Sequence, residues 1–268
     1  MIVSDNGRLL WYSRRSNVVH DLKTVEYRGQ RLLAFYHRRP RSEGHYELLD
    51  DRYRRVRRIT AGNGLRVNGH ELQLTDRGTA YLGIYRGLSL PRGGRRVTEY
   101  VIQEIDLATG RVLFQWHSLD HVPLSASYEP PPSDGSHWDY FHGNSIEAPA
   151  RGGRTIIVSA RKTSAVYGID RVTGALRWVL GGKDDDFGLV ERHPRWQFCA
   201  QHDARRLPGG AFQRMQMSFV VSEVASSRPP VAASRDSSRP VSSRATARTT
   251  RLLSTRPFEP QSQAPAGA

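Results

Sequence analysis

Along the first 210 residues, apolar positions fall into short runs separated by glycine- or aspartate-bearing turns, with almost no helical periodicity. Two phrases recur. The first is a histidine, a short apolar strand, a glycine turn and a second apolar strand. Its copies run from His70-Glu-Leu-Gln-Leu through Gly78 to Leu82, and from His142-Gly-Asn-Ser-Ile through Gly153 to Val158. A third copy is His202-Asp-Ala-Arg-Arg-Leu-Pro-Gly-Gly210, and a weaker one begins at His20-Asp-Leu and continues through Gly29 to Tyr36. The second phrase is an apolar strand, an Asp-led turn with Gly, and an apolar strand closing on Trp. Its clear copies are Ile105-Asp106 to Gly110 and Trp116, and Ile169-Asp170 to Gly174 and Trp178. Looser copies run from Leu48 through Asp50 to Tyr53 and from Ile2 through Asp5-Asn6-Gly7 to Trp11. Aspartate caps such turns by accepting from backbone amides, and glycine supplies the positive φ.

A His-led hairpin followed by an Asp-led hairpin makes a four-stranded unit. Four strands repeated at this spacing predict an all-β chain and a β-propeller, in preference to a sandwich of repeated hairpins. The grammar starts inside an Asp-led hairpin and ends at about Gly210, one strand after its last histidine, so residues 1–210 are expected to hold about three full blades plus partial ones. Such an incomplete ring cannot close, and its open edges predict poor stability and weak activity. Residues 211–268 change character: Ala225 onward is rich in Ser, Arg, Pro, Ala and Thr and is expected to be a low-complexity disordered tail. A reading-frame shift soon after Gly210 accounts for that change better than a natural basic tail, because it also explains the missing partner strand.

Charge and cysteine content narrow the classes. The 268 residues carry a formal charge of +14, nearly all of it from arginine, since Lys23, Lys162 and Lys183 are the only lysines. The arginines are scattered through strands and turns rather than interleaved with aromatics on one face, which argues against nucleic-acid binding. Cys199 is the single cysteine, so no internal disulfide is possible. No stretch reaches the roughly 20 apolar residues of a membrane span. The N-terminus, Met1-Ile-Val-Ser-Asp-Asn-Gly, carries no signal peptide, which predicts a cytoplasmic location for the chain as written.

In a propeller the innermost strands line a common channel, so His70, His142 and His202 at the start of such strands are expected to converge. Arg161 follows the apolar run Ile156-Ile-Val158 and needs an anion or a wet cavity. Imidazoles with a guanidinium suit a tetrahedral oxyanion, sulfate or phosphate, better than a metal cation, and no metal or other cofactor is expected. A histidine in such a group can also act as a nucleophile. His20 shares the register and is expected to serve the fold alone. His117, His121 and His137 fall in a polar, Pro-rich connection and are candidates for the channel rim; Tyr128, Trp138 and Tyr140 of that connection are candidates for stacking on an aromatic substrate.

These residues also carry a resemblance. His142-Gly-Asn-Ser-Ile, Val158-Ser-Ala-Arg161-Lys-Thr-Ser-Ala-Val, Leu180-Gly-Gly, Gln201-His202-Asp-Ala-Arg-Arg-Leu-Pro and Ala61-Gly-Asn-Gly-Leu leading to His70-Glu-Leu are similar to the bacterial arylsulfotransferase family. The resemblance implies a six-bladed propeller that moves a sulfuryl group from a phenolic sulfate ester to a phenolic acceptor, without nucleotide sulfate. It implies His202 as the nucleophile sulfated on its imidazole, Arg161 as the holder of the sulfuryl oxygens, and His142 and His70 as sulfate-binding and proton-handling groups. It also implies an exported full-length protein. Outside the family, the rival readings are a quinoprotein-like propeller scaffold for protein interaction and a metal-dependent hydrolase or phosphatase.

Overall fold

The computed structural model describes residues 1–14, 18–38, 44–91, 93–188 and 199–207, and the backbone of 212–216. The low-complexity segment from Ala225 lies outside the described residues. Among the described residues, every regular element apart from two short 3₁₀ turns is a strand. No helix among the described residues is long and apolar enough to cross a membrane.

The chain divides into two units. In the first, residues 1–12 form a hairpin of β1 (Ile2–Val3) and β2 (Leu9–Trp11). Its turn is led by Ser4 rather than Asp5: the Ser4 Oγ accepts from the Arg8 amide at 3.0 Å, and Gly7 takes φ +82°.

The second unit, Ser13–Ser218, carries the rest. Its first sheet is β3 (Val19–Tyr27), β4 (Gln30–His37), β5 (His45–Leu49) and β6 (Arg55–Ile59), in that order and antiparallel. The second is β7 (Leu72–Leu74), β8 (Thr79–Ser89), β9 (Arg96–Asp106) and β10 (Val112–His117). A two-residue strand, β11 (Trp138–Asp139), adds to β9 in parallel. The third sheet is β12 (Gly143–Glu147), β13 (Thr155–Ala160), β14 (Ala165–Asp170) and β15 (Leu176–Gly181). Last comes a hairpin of β16 (Gln201–Arg206) and β17 (Phe212–Gln216). Each four-stranded sheet is one His-led and one Asp-led hairpin, as the sequence grammar requires.

The end of the last hairpin differs from expectation. A single strand was expected before a break at Gly210, but β17 pairs with β16 from Gln201↔Gln216 to Arg206↔Phe212. Residues 212–216 contain no proline, so every backbone amide can join the ladder.

The Asp-led turns follow their chemistry. Asp106 accepts from the Thr109 amide at 2.7 Å and Gly110 sits at φ +75°; Asp170 accepts from Val172 and Thr173 amides at 2.8 and 3.1 Å, with Gly174 at +75°. In the looser copy Asp50 caps Arg52 and Arg54, and Tyr53 takes the positive φ (58°) that glycine takes elsewhere.

Core clusters lie between successive sheets. Leu32, Ala34, Tyr46 and Leu48 of the first sheet pack on Leu72, Leu82 and Ile105 of the second. Tyr100, Ile102 and Trp116 of the second pack on Ile146, Val158 and Tyr167 of the third, and Ile157 and Val166 of the third meet Ala204 of the final hairpin. Polar locks cross the same seams. Trp116 donates to the Gly174 carbonyl at 3.0 Å, and the fully buried Glu104 accepts from Thr79, Tyr81 and Arg171 at 2.8, 2.8 and 2.6 Å. The sheets stack in chain order with their first strands side by side: β3 touches β7, β7 touches β12, and β12 touches β16. Every histidine of the repeated phrase stands at the start of one of these strands.

Candidate active site

His70 precedes β7, His142 precedes β12 and His202 is the second residue of β16. The structure brings the three together from three different sheets. The His70 ring centroid is 5.5 Å from His142, nearly perpendicular, and 6.3 Å from His202 at 30°.

Each ring is held by a local device. The Asn68 carboxamide oxygen accepts from the His70 amide at 2.9 Å and from its Nδ1. His142 sits in the left-handed region at φ +53°, and its Nδ1 donates to the Asp139 carboxylate. With Nδ1 committed in both, Nε2 is the remaining basic nitrogen. Arg161 follows the last residue of β13, and its amide donates to the His142 carbonyl at 3.0 Å, so arginine and histidine leave the same edge of the sheet.

β16 is pinned to the third sheet by Gln201. Its buried carboxamide donates to Ser159 Oγ at 3.2 Å, Ala160 O at 3.2 Å and Ala165 O at 2.8 Å, while Asn144 donates to its carbonyl at 2.8 Å. His202 is therefore set by buried bonds one residue away. Its Nδ1 is enclosed, with no hydrogen-bond partner among the described residues.

Two tyrosines complete the group. Tyr85 lies 5.3 Å from His70 and 5.4 Å from His142, and its hydroxyl donates to the Gly143 carbonyl at 2.8 Å. Tyr100 backs Tyr85 at 5.4 Å and is 1% exposed. Neither was singled out from sequence, because a tyrosine in an apolar strand reads as core. Asp139 and Asn68, the orienting partners, carry a weak signal: each is a polar residue two or three positions before a phrase histidine.

The electrostatics favour the neutral form of His70 and His202. Burial, then the neighbouring His142 and His202, lower the His70 pKa to about 4. Burial also lowers His202, against the opposing pull of Asp203 and Glu71. Burial raises the Tyr85 hydroxyl well above its usual range, with Arg161 opposing. His20, expected to serve the fold alone, is close enough for its charge to contribute to the lowering at His70, and its ring lies 6.3 Å from Tyr36.

Several expected substrate contacts are placed elsewhere. Tyr140 is fully buried, packs on Trp138 and Phe141, and donates to the Val122 carbonyl at 3.2 Å; it anchors the connection from inside and presents no ring for stacking on a substrate. Trp138 is buried in the same cluster. Tyr128 is 53% exposed, with the Lys183 ammonium 5.0 Å from its ring. His117 pairs with Glu99 at 3.1 Å, His121 stacks on Trp116 at 5.2 Å, and His137 lies over Gly87. Each of these three is held by its own neighbours.

One group among the described residues has metal-ligand spacing: His37, His45 and Glu47, buried on paired strands with donor atoms within 4.8 Å of one another. Arg55 lies 3.7 Å from Glu47, and Arg58 adds positive charge beside His45, so guanidinium groups already compete with a cation for that carboxylate.

What stands at the meeting of these sheets is a set of oriented imidazoles beside an arginine, on an all-β framework. Side chains of this kind suit the binding of an anion or the transfer of a group. Comparison with known families gives the second step: the sequence model of the Arylsulfotransferase (ASST) family matches residues 29–223, and the chain belongs to that family. No curated protein matches the chain. Membership points to a transferase of arylsulfotransferase type acting on aryl sulfates.

Proposed function

We propose that this protein transfers a sulfuryl group from a phenolic sulfate ester to a phenolic acceptor through a sulfohistidine at His202. The single observation that carries the reading is the convergence of His70, His142 and His202, with Arg161 beside His142, from separate sheets of an ASST-family chain. The stacking of sheets in chain order, first strands together, supports a β-propeller arrangement with these residues on its channel.

In the first half-reaction neutral His202 attacks sulfur through Nε2, the nitrogen that the enclosed Nδ1 leaves available. The N–S bond forms as the S–O bond to the aryl group breaks, and the phenolate leaves with the electron pair. In the second, an acceptor phenol loses its proton to a basic imidazole, attacks sulfur and frees His202. Arg161 donates to the sulfuryl oxygens, whose charge is spread in the transition state. His142, oriented by Asp139, has a basic Nε2 suited to taking the acceptor's proton and returning one to the departing phenolate, while His70, oriented by Asn68, lines the pocket as a neutral imidazole. The low proton affinity of His70 and His202 keeps both unprotonated at neutral pH.

The test is p-nitrophenol release from p-nitrophenyl sulfate with and without a second phenol, on the full chain. Acceptor-dependent release with ping-pong kinetics, lost in His202→Ala, supports the reading. Turnover that persists in His202→Ala overturns it.

A further inference from the structure

The segment that follows His70 holds a buried carboxylate with no part in the chemistry above. Glu71 has only 2% of its side chain exposed, yet it meets two cations from two other strands: Lys23 Nζ at 2.7 Å from β3 and an Arg205 guanidinium nitrogen from β16. The Leu72 amide also donates to it, at 3.1 Å.

The two cations belong to matching pieces of chain. His20-Asp21-Leu22-Lys23 and His202-Asp203-Ala204-Arg205 share the pattern His-Asp-apolar-cation. Both lie at a break in strand register, between His20 and Lys23 in β3 and between His202 and Arg205 in β16. In both the aspartate takes a left-handed backbone, φ 52° at Asp21 and 58° at Asp203. Each cation pairs with its own aspartate, at 2.9 Å for Lys23–Asp21 and 2.6 Å for Arg205–Asp203, and both then close on Glu71. A non-glycine residue at positive φ costs free energy and persists only where its surroundings hold it. Here one carboxylate fastens both bulges, and each bulge carries a phrase histidine.

We propose that Glu71 is a positioning residue: through Arg205 it fixes the bulge that presents His202, and through Lys23 the equivalent bulge that presents His20. Arg205 reaches further, donating to the Ile146 carbonyl of β12 at 2.7 Å, so the anchor ties the three four-stranded sheets and the final hairpin together at the level of the histidines. Burial works to raise the Glu71 carboxyl, but the Lys23 and Arg205 charges more than offset it and hold the group ionised. An ionised carboxylate here acts on His202 by charge as well as by position. The charged groups recorded around His202 are Asp203 and Arg205 on its own strand, Glu71 before β7 and His142 before β12, with His70 beside its ring.

The experiment titrates His202 by its rate of carbethoxylation with diethyl pyrocarbonate against pH, read by peptide mass spectrometry on the full chain, in wild type, Glu71→Gln and Arg205→Gln, the anion and the cation whose charges act on His202. Removing the anion moves the His202 titration to lower pH by about half a unit or more, and removing the cation moves it to higher pH by a similar amount. A merely structural Glu71 has no reason to move the two variants in opposite directions, so unmoved titrations, or shifts of the same sign, overturn the proposal. If Glu71→Gln fails to fold, the upward shift in Arg205→Gln decides alone. In its relevance to catalysis the proposal rests on the sulfuryl-transfer reading, and the readouts separate the two. Opposite shifts without sulfuryl transfer by wild type sink that reading and leave the anchor. Robust transfer with unmoved titrations sinks the anchor alone.

Discussion

Gly143→Ala places one methyl group where the structure has no room for it. An ideal Cβ at 143 lies 2.3, 2.4 and 2.5 Å from Cε1, Cδ1 and Cζ of Tyr100, against an ordinary contact of 3.4 Å or more, so ring or strand must move by about 1 Å. The ring is not free to yield: Tyr100 is 1% exposed, with Phe141 at 5.8 Å and Tyr85 at 5.4 Å. Overpacking of this kind costs about 1–3 kcal/mol. The strand cannot move without consequence either, because Gly143 accepts from the Tyr85 hydroxyl and follows His142 directly. A displacement of about 1 Å at a reacting group costs up to about 100-fold in rate. Urea unfolding followed by tryptophan fluorescence, with sulfuryl-transfer kinetics on the same preparation, measures both effects. A variant with the wild-type unfolding midpoint and wild-type turnover refutes the packing argument and the coupling of Tyr100 to His142.

Other expectations follow from single contacts. Glu104→Ala strips the partner from Arg171, Tyr81 and Thr79 at a fully buried position, and is expected to cost about 3–5 kcal/mol by urea denaturation. Asp139→Asn removes the charge that orients His142 and is expected to lower kcat with little change in unfolding midpoint, which paired kinetic and denaturation measurements check. His70 takes up its proton less readily folded than unfolded, so its contribution to stability is complete above about pH 6.5 and is lost as pH falls from there through about 4. That gap sets a ceiling of about 3 kcal/mol, and solvent reaching the half-buried ring reduces it to about 1 kcal/mol. Urea midpoints at pH 7.5 and pH 5 are expected to fall toward acid, and His70→Asn is expected to flatten the difference.

The hairpin grammar was legible because its parts are local. An Asp that caps and a Gly that accepts positive φ announce a turn wherever they fall, and Asp106–Gly110 and Asp170–Gly174 form as read. His70 and His142 were found by register, and the structure brings their rings together with that of His202. What the sequence hid is what depends on which face a side chain takes within a buried strand. Tyr85 lies in an apolar strand and reads as core, although it faces the histidines; Tyr140 lies in a polar connection and reads as a substrate contact, although its ring is fully buried against Trp138 and Phe141. Glu71 was hidden for another reason. A single glutamate beside a histidine reads as solvated, and only the meeting of Lys23 from β3 and Arg205 from β16 at that point makes it a buried anchor. The second strand of the last hairpin is not legible because Phe212–Gln216 lacks clean apolar–polar alternation and follows the sequence Gly209-Gly210.

The most direct test of the central claim is to trap the intermediate. Full-length protein is incubated with p-nitrophenyl sulfate and no acceptor, quenched at alkaline pH, digested and mapped by mass spectrometry. The account predicts a sulfuryl group on the peptide carrying His202, discharged when a phenol is added. Acceptor-dependent transfer with no modification at His202, or with the sulfuryl group on another residue, contradicts it.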